Sequence, residues 1–155
     1  MSTPAQGTPA PEFDLPADDG SRIKLSDFKG RKVVLYFYPK DNTSGCTLEA
    51  IDFSNREADF EAAETIVVGV SPDSVKSHER FKKKHELSIA LASDEDKVVL
   101  EAYGVWAEKS MFGHKYMGVV RTTYLIGRDG TILRVWDKVK VKGHVDEVLA
   151  AARSA

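Results

Sequence analysis

The chain has 155 residues, 42% of them hydrophobic and 30% charged, with 22 lysines and arginines against 24 aspartates and glutamates for a formal net charge of −2. That length suits one domain, 1–155, with a real core. The charge balance gives no electrostatic basis for binding nucleic acid or an anionic membrane, no run approaches the roughly 20 apolar residues of a membrane span, and a single cysteine excludes a disulfide framework or a cysteine-rich metal site.

Residues 1–9 are small, polar and proline-rich, and read as a loose lead-in. The opening MSTPAQGTPAPEF has no basic n-region and no apolar h-region, so it does not read as a signal peptide, and a reducing, cytoplasmic setting is the expectation. Phe13 to Leu15 and Arg22 to Leu25 flank the turn signal PADDGS and predict a short hairpin. VVLYFY, residues 33–38, is unbroken apolar and rich in β-formers, as a strand buried on both faces should be. Pro39 ends it. A helix is expected from Ser44 or Gly45 to about Glu61. At about 100° per residue, Cys46, Ala50, Phe53, Glu57 and Phe60 share its inward face.

TIVVGV, residues 65–70, predicts a second buried strand. A charged helix over 74–86 follows, with Ser71 or Asp73 as its cap. Residues 89–92 predict a short strand, and 97–103 a helix capped by Asp94 or Asp96 and stopped by Gly104. A long segment around Trp106, Met111, Phe112 and Tyr116 reads as irregular, either collaring a site or simply packing. Residues 122–126 and 131–136 predict a hairpin through GRDG, and 143–152 a final amphipathic helix. This order is a β-α-β then β-β-α plan, the thioredoxin-like α/β arrangement with an extra N-terminal β-hairpin. The four histidines show no metal-ligand spacing, and His78 and His85, on a helix dense in charge, read as surface residues.

Cys46 is the one thiol, placed at a strand-to-helix turn. A helix N-terminus and a nearby cation are what make a thiol a thiolate, and the thiolate is the nucleophile. Thr43 offers a hydroxyl beside it, and Pro39 fixes the strand exit. The end of a buried strand in an α/β sheet is also where ligands sit. Taken alone, these residues leave two readings level: an inert buried core cysteine and a reactive one.

Pro39, Thr43 and Cys46 form P-x-x-x-T-x-x-C, which resembles the peroxiredoxin active-site motif. YPKDNTSGCTLEA resembles the Q-type, or bacterioferritin-comigratory, subfamily; PAPEFDLPADDG and KSMFGHKYMGVVRTTYLIGRDGTI resemble its N-terminal hairpin and its arginine-bearing segment. The resemblance implies a thiol-dependent peroxidase acting on hydrogen peroxide and organic hydroperoxides, with no metal or organic cofactor. It implies Cys46 as peroxidatic nucleophile and Arg121 as the cation that favours the thiolate. Thr43 would bond the peroxide oxygens, Pro39 would shield the site, and backbone groups near Gly45 would help. Glu49 would hold the arginine.

Many members of that subfamily carry a resolving cysteine five residues after the first, where this chain has Ile51, or in the helix over 74–86, which has none. Residues five apart in an intact helix have Cα atoms roughly 8–9 Å apart, beyond the roughly 7 Å reach of a disulfide. The expectation is a one-cysteine cycle completed by an outside thiol such as thioredoxin, glutaredoxin or glutathione, in a monomer. The alternative is a non-catalytic interaction module of the same fold.

Overall fold

The computed structural model describes residues 3–155. A five-stranded sheet in the order β5-β4-β3-β8-β9 forms its centre, built from β3 (Lys32–Phe37), β4 (Thr65–Ser71), β5 (Ala90–Ser93), β8 (Thr122–Ile126) and β9 (Ile132–Trp136). β3, β4 and β5 run parallel, while β8 is antiparallel to β3 and β9 to β8. Every residue of β3 is buried, Lys32 included, and the apolar run from Val33 is what a central strand covered on both faces requires.

One face carries Val34, Tyr36, Tyr38 and Val67 under α1 (Ser44–Asn55), α2 (Glu57–Ala62), α3 (Val75–His85) and α5 (His144–Ser154). The other carries Val33, Leu35, Phe37 and Val68 under the hairpin β1 (Asp14–Pro16)–β2 (Arg22–Lys24) and α4 (Val98–Ala102). The thioredoxin-like plan with an N-terminal hairpin is therefore as expected.

Several details differ. The expected helix from 44 to 61 is two: Arg56, at φ −105 and ψ 5, leaves helical geometry and serves as the C-cap of α1 and the N-cap of α2. The inward face survives the break, with Cys46, Ala50, Phe53 and Phe60 all buried. The cap of α3 is Ser74, whose hydroxyl accepts from the Ser77 N–H at 3.1 Å, and neither Ser71 nor Asp73. The N-cap of α4 is Lys97, neither Asp94 nor Asp96, although Asp94 accepts the Leu100 N–H in its first turn at 2.8 Å. The segment read as irregular is a second hairpin, β6 (Trp106–Met111) with β7 (His114–Val119). Part of the expected loose lead-in is tied down: the Gly7 N–H donates to the Ile132 carbonyl at 2.8 Å, and the Ile132 N–H returns to the Thr8 carbonyl at 2.9 Å. His78 is fully buried, whereas its charged helix predicted a surface residue.

Candidate active site

β3 carries the chain to the edge of the sheet where α1 begins. The Tyr38 N–H still donates to the Val70 carbonyl, extending the ladder by one residue. Pro39 has no N–H to continue it, so the strand stops there. Four residues later Thr43 starts α1 in extended geometry (φ −83, ψ 153). Cys46 thus falls in the first turn, where helix N–H groups have no intrahelical acceptor, and its side chain turns inward with 1% of its surface exposed.

Arg121 arrives from the opposite direction. β8 runs antiparallel to β3 with Thr122 opposite Phe37, so the residue just before β8 lies beside the end of β3, where α1 starts. Its backbone carbonyl accepts from the Val139 N–H at 2.9 Å, which fixes the chain at that point. The guanidinium then spans the sulfur and a carboxyl group. Nη2 donates to the Cys46 sulfur at 3.3 Å, and Nη1 donates to Glu49 Oε1 at 2.7 Å. Glu49 is one helical turn past Cys46 and wholly buried, so helix spacing alone puts carboxylate and sulfur on the same side. Gly45 permits the approach: a Cβ there would lie 3.3 Å from Arg121 Nη2.

The electrostatics follow from burial. Glu49 is pushed up to about 7 by desolvation, with the Arg121 charge and hydrogen bond opposing. Its second oxygen, Oε2, is buried without a hydrogen-bond partner among the described residues. Burial pulls Arg121 down, but the charges of Glu49 and Cys46 more than offset it, so the guanidinium stays firmly cationic. A cation held within hydrogen-bond distance of a sulfur in a low-dielectric pocket stabilises negative charge there far better than it could in water.

The Thr43 hydroxyl donates to the Lys40 carbonyl at 2.9 Å. With its hydrogen placed there, it presents lone pairs to an incoming molecule. Cys46, Arg121, Glu49 and Gly45 are thus brought together directly, with Thr43 and Pro39 placed beside them by the chain.

Sequence reasoning did not single out Tyr36. Its ring stacks on Phe53 at 4.6 Å and lies in the notch left by Gly69, where a Cβ would sit 2.7 Å from the hydroxyl. That hydroxyl is buried without a partner among the described residues, and burial, followed by the charge of Glu49, raises it well above the usual phenol range. Nothing local in the sequence separates Tyr36 from other strand tyrosines.

Residues 6–135 match the model of the AhpC/TSA family. A putative peroxiredoxin Bcp of Coxiella burnetii is 52% identical over 143 residues, 92% of this chain and 95% of that protein. Peroxiredoxin Bcp of Bacillus subtilis is 48% identical, over 92% and 91% of the two chains. A PrxQ of Xylella fastidiosa superposes with a TM-score of 0.94 at 37% identity, over 99% and 98% of the two chains. The bacterioferritin comigratory protein of Xanthomonas campestris, solved for insight into its alkyl peroxide reduction activity, gives 0.88 at 40%, over 92% and 90%.

With fold, site and relatives agreeing, the chain belongs to the AhpC/TSA family and, within it, to the peroxiredoxins of the Bcp or Q type. It is accordingly an oxidoreductase, a peroxidase that works through a thiol.

Proposed function

We propose that the chain reduces hydrogen peroxide and organic hydroperoxides in a one-cysteine cycle at Cys46. The observation that carries this is the guanidinium of Arg121 held between the Cys46 sulfur and the buried Glu49 carboxylate.

In the first step the Cys46 thiolate attacks the terminal oxygen of R–O–O–H. An S–O bond forms as the O–O bond breaks. Sulfur is oxidised by two electrons, and the leaving oxygen takes the bonding pair, gains a proton and departs as alcohol or water. Cys46 is left as a sulfenic acid. Negative charge shifts from sulfur to the departing oxygen along this path. Arg121 and the N–H groups of the first turn of α1 face both ends of that shift, which stabilises the transition state more than the reactants. Thr43, whose hydrogen is bonded to the Lys40 carbonyl, accepts a hydrogen bond from the hydroperoxide O–H and so orients the attacked oxygen. Pro39 shields the pocket wall.

Cys46 is the only cysteine in the chain, and Ile51 stands in an intact α1 where subfamily members carry the second thiol. Reduction therefore calls on an outside thiol: thioredoxin, glutaredoxin or glutathione. That thiol displaces water from the sulfenic acid to give a mixed disulfide. A second thiol then releases Cys46. We take the working unit to be a monomeric single domain of the cytoplasm; no helix among the described residues is long and apolar enough to cross a membrane.

Stopped-flow oxidation of Cys46 by hydrogen peroxide and by an organic hydroperoxide tests the reading. A rate well above that of free cysteine is expected. A rate equal to it would leave only a non-catalytic module. Peroxide followed by a thioredoxin stripped of its second cysteine should trap the mixed disulfide.

A further inference from the structure

The loop between Pro39 and Thr43 sets the start of α1, and Asn42 within it takes a left-handed turn conformation, φ 63, that asparagine tolerates. Asp41 anchors this loop. Its Oδ1 accepts from the Tyr38 hydroxyl at 2.6 Å, and its Oδ2 accepts from the Ser77 hydroxyl at 2.8 Å and from His78 Nδ1 at 2.7 Å. Its own N–H donates to Asp73 Oδ2 at 2.8 Å, which also accepts from the Ser71 hydroxyl.

The other nitrogen of His78, Nε2, faces the Ala92 carbonyl at 3.0 Å. A carbonyl accepts only, and a carboxylate already taking two other hydrogens accepts as well. Both ring nitrogens therefore carry hydrogen. The result is an imidazolium–carboxylate pair whose side chains are 0% and 2% exposed. Asp41, Asp73 and His78 also have the spacing of a cation site, with ligand atoms within 4.8 Å of one another. The two nitrogens and the Asp41 oxygens are spent on hydrogen bonds, however, so the cluster works as a clasp. A second contact from the same helix, His85 Nε2 to Asn42 Oδ1 at 3.3 Å, reaches the loop as well.

A buried ion pair seldom adds net stability over apolar packing, because desolvating both charges costs about as much as their attraction returns. Its worth lies in a geometry that tolerates no slack. We propose that Asp41 and His78 are positioning residues: α3, which gives no atom to the site, clamps the loop so that the Thr43 hydroxyl stays in register with the Cys46 sulfur. This rests on the peroxidase reading above.

Three measurements test it. The first needs no activity: nitrogen-15 spectra of the reduced protein at neutral pH should show both His78 ring nitrogens protonated. A neutral ring with one bare nitrogen overturns the proposal. The second compares His78→Gln and Asp41→Asn with the unmodified chain in stopped-flow oxidation by hydrogen peroxide. Each should slow the reaction roughly 10- to 100-fold, the range a misplaced site incurs, and the double variant should be no slower than the worse single, as coupled partners require. Third, alkylation of Cys46 by iodoacetamide, which needs neither Thr43 nor an oriented oxygen, should change less than about two-fold, since only the oriented step loses its geometry. Peroxide rates within about two-fold of the unmodified chain in folded variants, or an equal loss in both reactions, overturn the proposal, because either separates the clasp from orientation. Should the charged-pair variants fail to fold, the ring spectrum and Ser77→Ala decide. That milder variant removes one of three donors and should slow peroxide oxidation alone. If the unmodified chain reacts no faster than free cysteine, the peroxidase reading fails, while the ring spectrum still reports on the clasp.

Discussion

Two buried carboxylates flank the segment from β3 to α1, and they are satisfied very differently. Asp41 receives three side-chain hydrogen bonds and faces an imidazole on the same oxygen as a serine. Glu49 receives one, from Arg121, while its other oxygen, like the Tyr36 hydroxyl, is buried with no hydrogen-bond partner among the described residues. A fully bonded carboxylate is a fastener. An under-bonded one is poised, because its charge state depends on a single cation that is also engaged with the sulfur. The contrast separates architecture from chemistry within a few residues of chain.

The sharpest way to break the contrast is to remove the shared cation. Arg121→Ala should slow oxidation of Cys46 by peroxide by on the order of 100-fold or more, about 3 kcal/mol in the barrier, as loss of one oxyanion-type donor does. Arg121→Lys should recover only part of this. One ammonium replaces the planar fork that reaches both Glu49 and the sulfur. Stopped-flow rates on both variants decide the matter.

Charge state supplies the next test. Glu49 titrates near 7 in the fold against a usual value of 4.5, so between those values the folded chain holds more protons than the unfolded one. Stability from this group is present at low pH and lost as pH rises from about 4.5 to about 7, by about 3 kcal/mol in all. His144 has the opposite sign. Burial lowers it from 6.5 to about 4, so the unfolded chain holds the extra proton and stability is lost as pH falls through that window. The two slopes overlap between about 4.5 and 6.5 and largely cancel. Denaturant unfolding of the unmodified chain should therefore be nearly flat with pH there. Glu49→Gln should unmask a loss of stability on acidification, and His144→Asn a loss on alkalinisation. If Glu49→Gln leaves the profile unchanged, the poised carboxylate is ruled out.

A smaller effect is expected at Gly45. A methyl group there meets Arg121 Nη2 at 3.3 Å and must push the guanidinium by a few tenths of an ångström. Gly45→Ala should slow peroxide oxidation several-fold, roughly 1 kcal/mol, while the unfolding midpoint holds or rises, since alanine favours a helix over glycine by about that amount.

Much of this was legible before the structure, for physical reasons. The central strands β3 and β4 announce themselves because burial on both faces leaves their middles apolar, with Lys32, Thr65 and Ser71 only at their ends. Cys46, Thr43 and Glu49 lie within two turns of one helix, so local spacing relates them. Arg121 is 75 residues from Cys46, and only the resemblance to a known motif joined the two.

Other features were hidden. The β6–β7 hairpin is largely solvent-facing and lacks the alternation that marks a half-buried strand. Its tip is Phe112-Gly113, with both residues at positive φ, and phenylalanine is not a residue that signals such a turn. His78 sits in a helix dense with charge, and its burial depends on an aspartate 37 positions away. The break at Arg56 has no glycine or proline to mark it.

In the one-cysteine cycle proposed above, the solitary sulfur at position 46 has a kinetic consequence. With no internal exit, the oxidised enzyme waits for a collision. Its dwell time is set by the concentration of donor around it and not by any motion of the fold. During that interval a second peroxide can strike the same atom and carry it to the sulfinic acid, one rung further and beyond ordinary thiol repair. The fraction of molecules retired per turnover then measures the ratio of oxidant to reductant in the surroundings, so the protein keeps a running record of the balance it helps to restore.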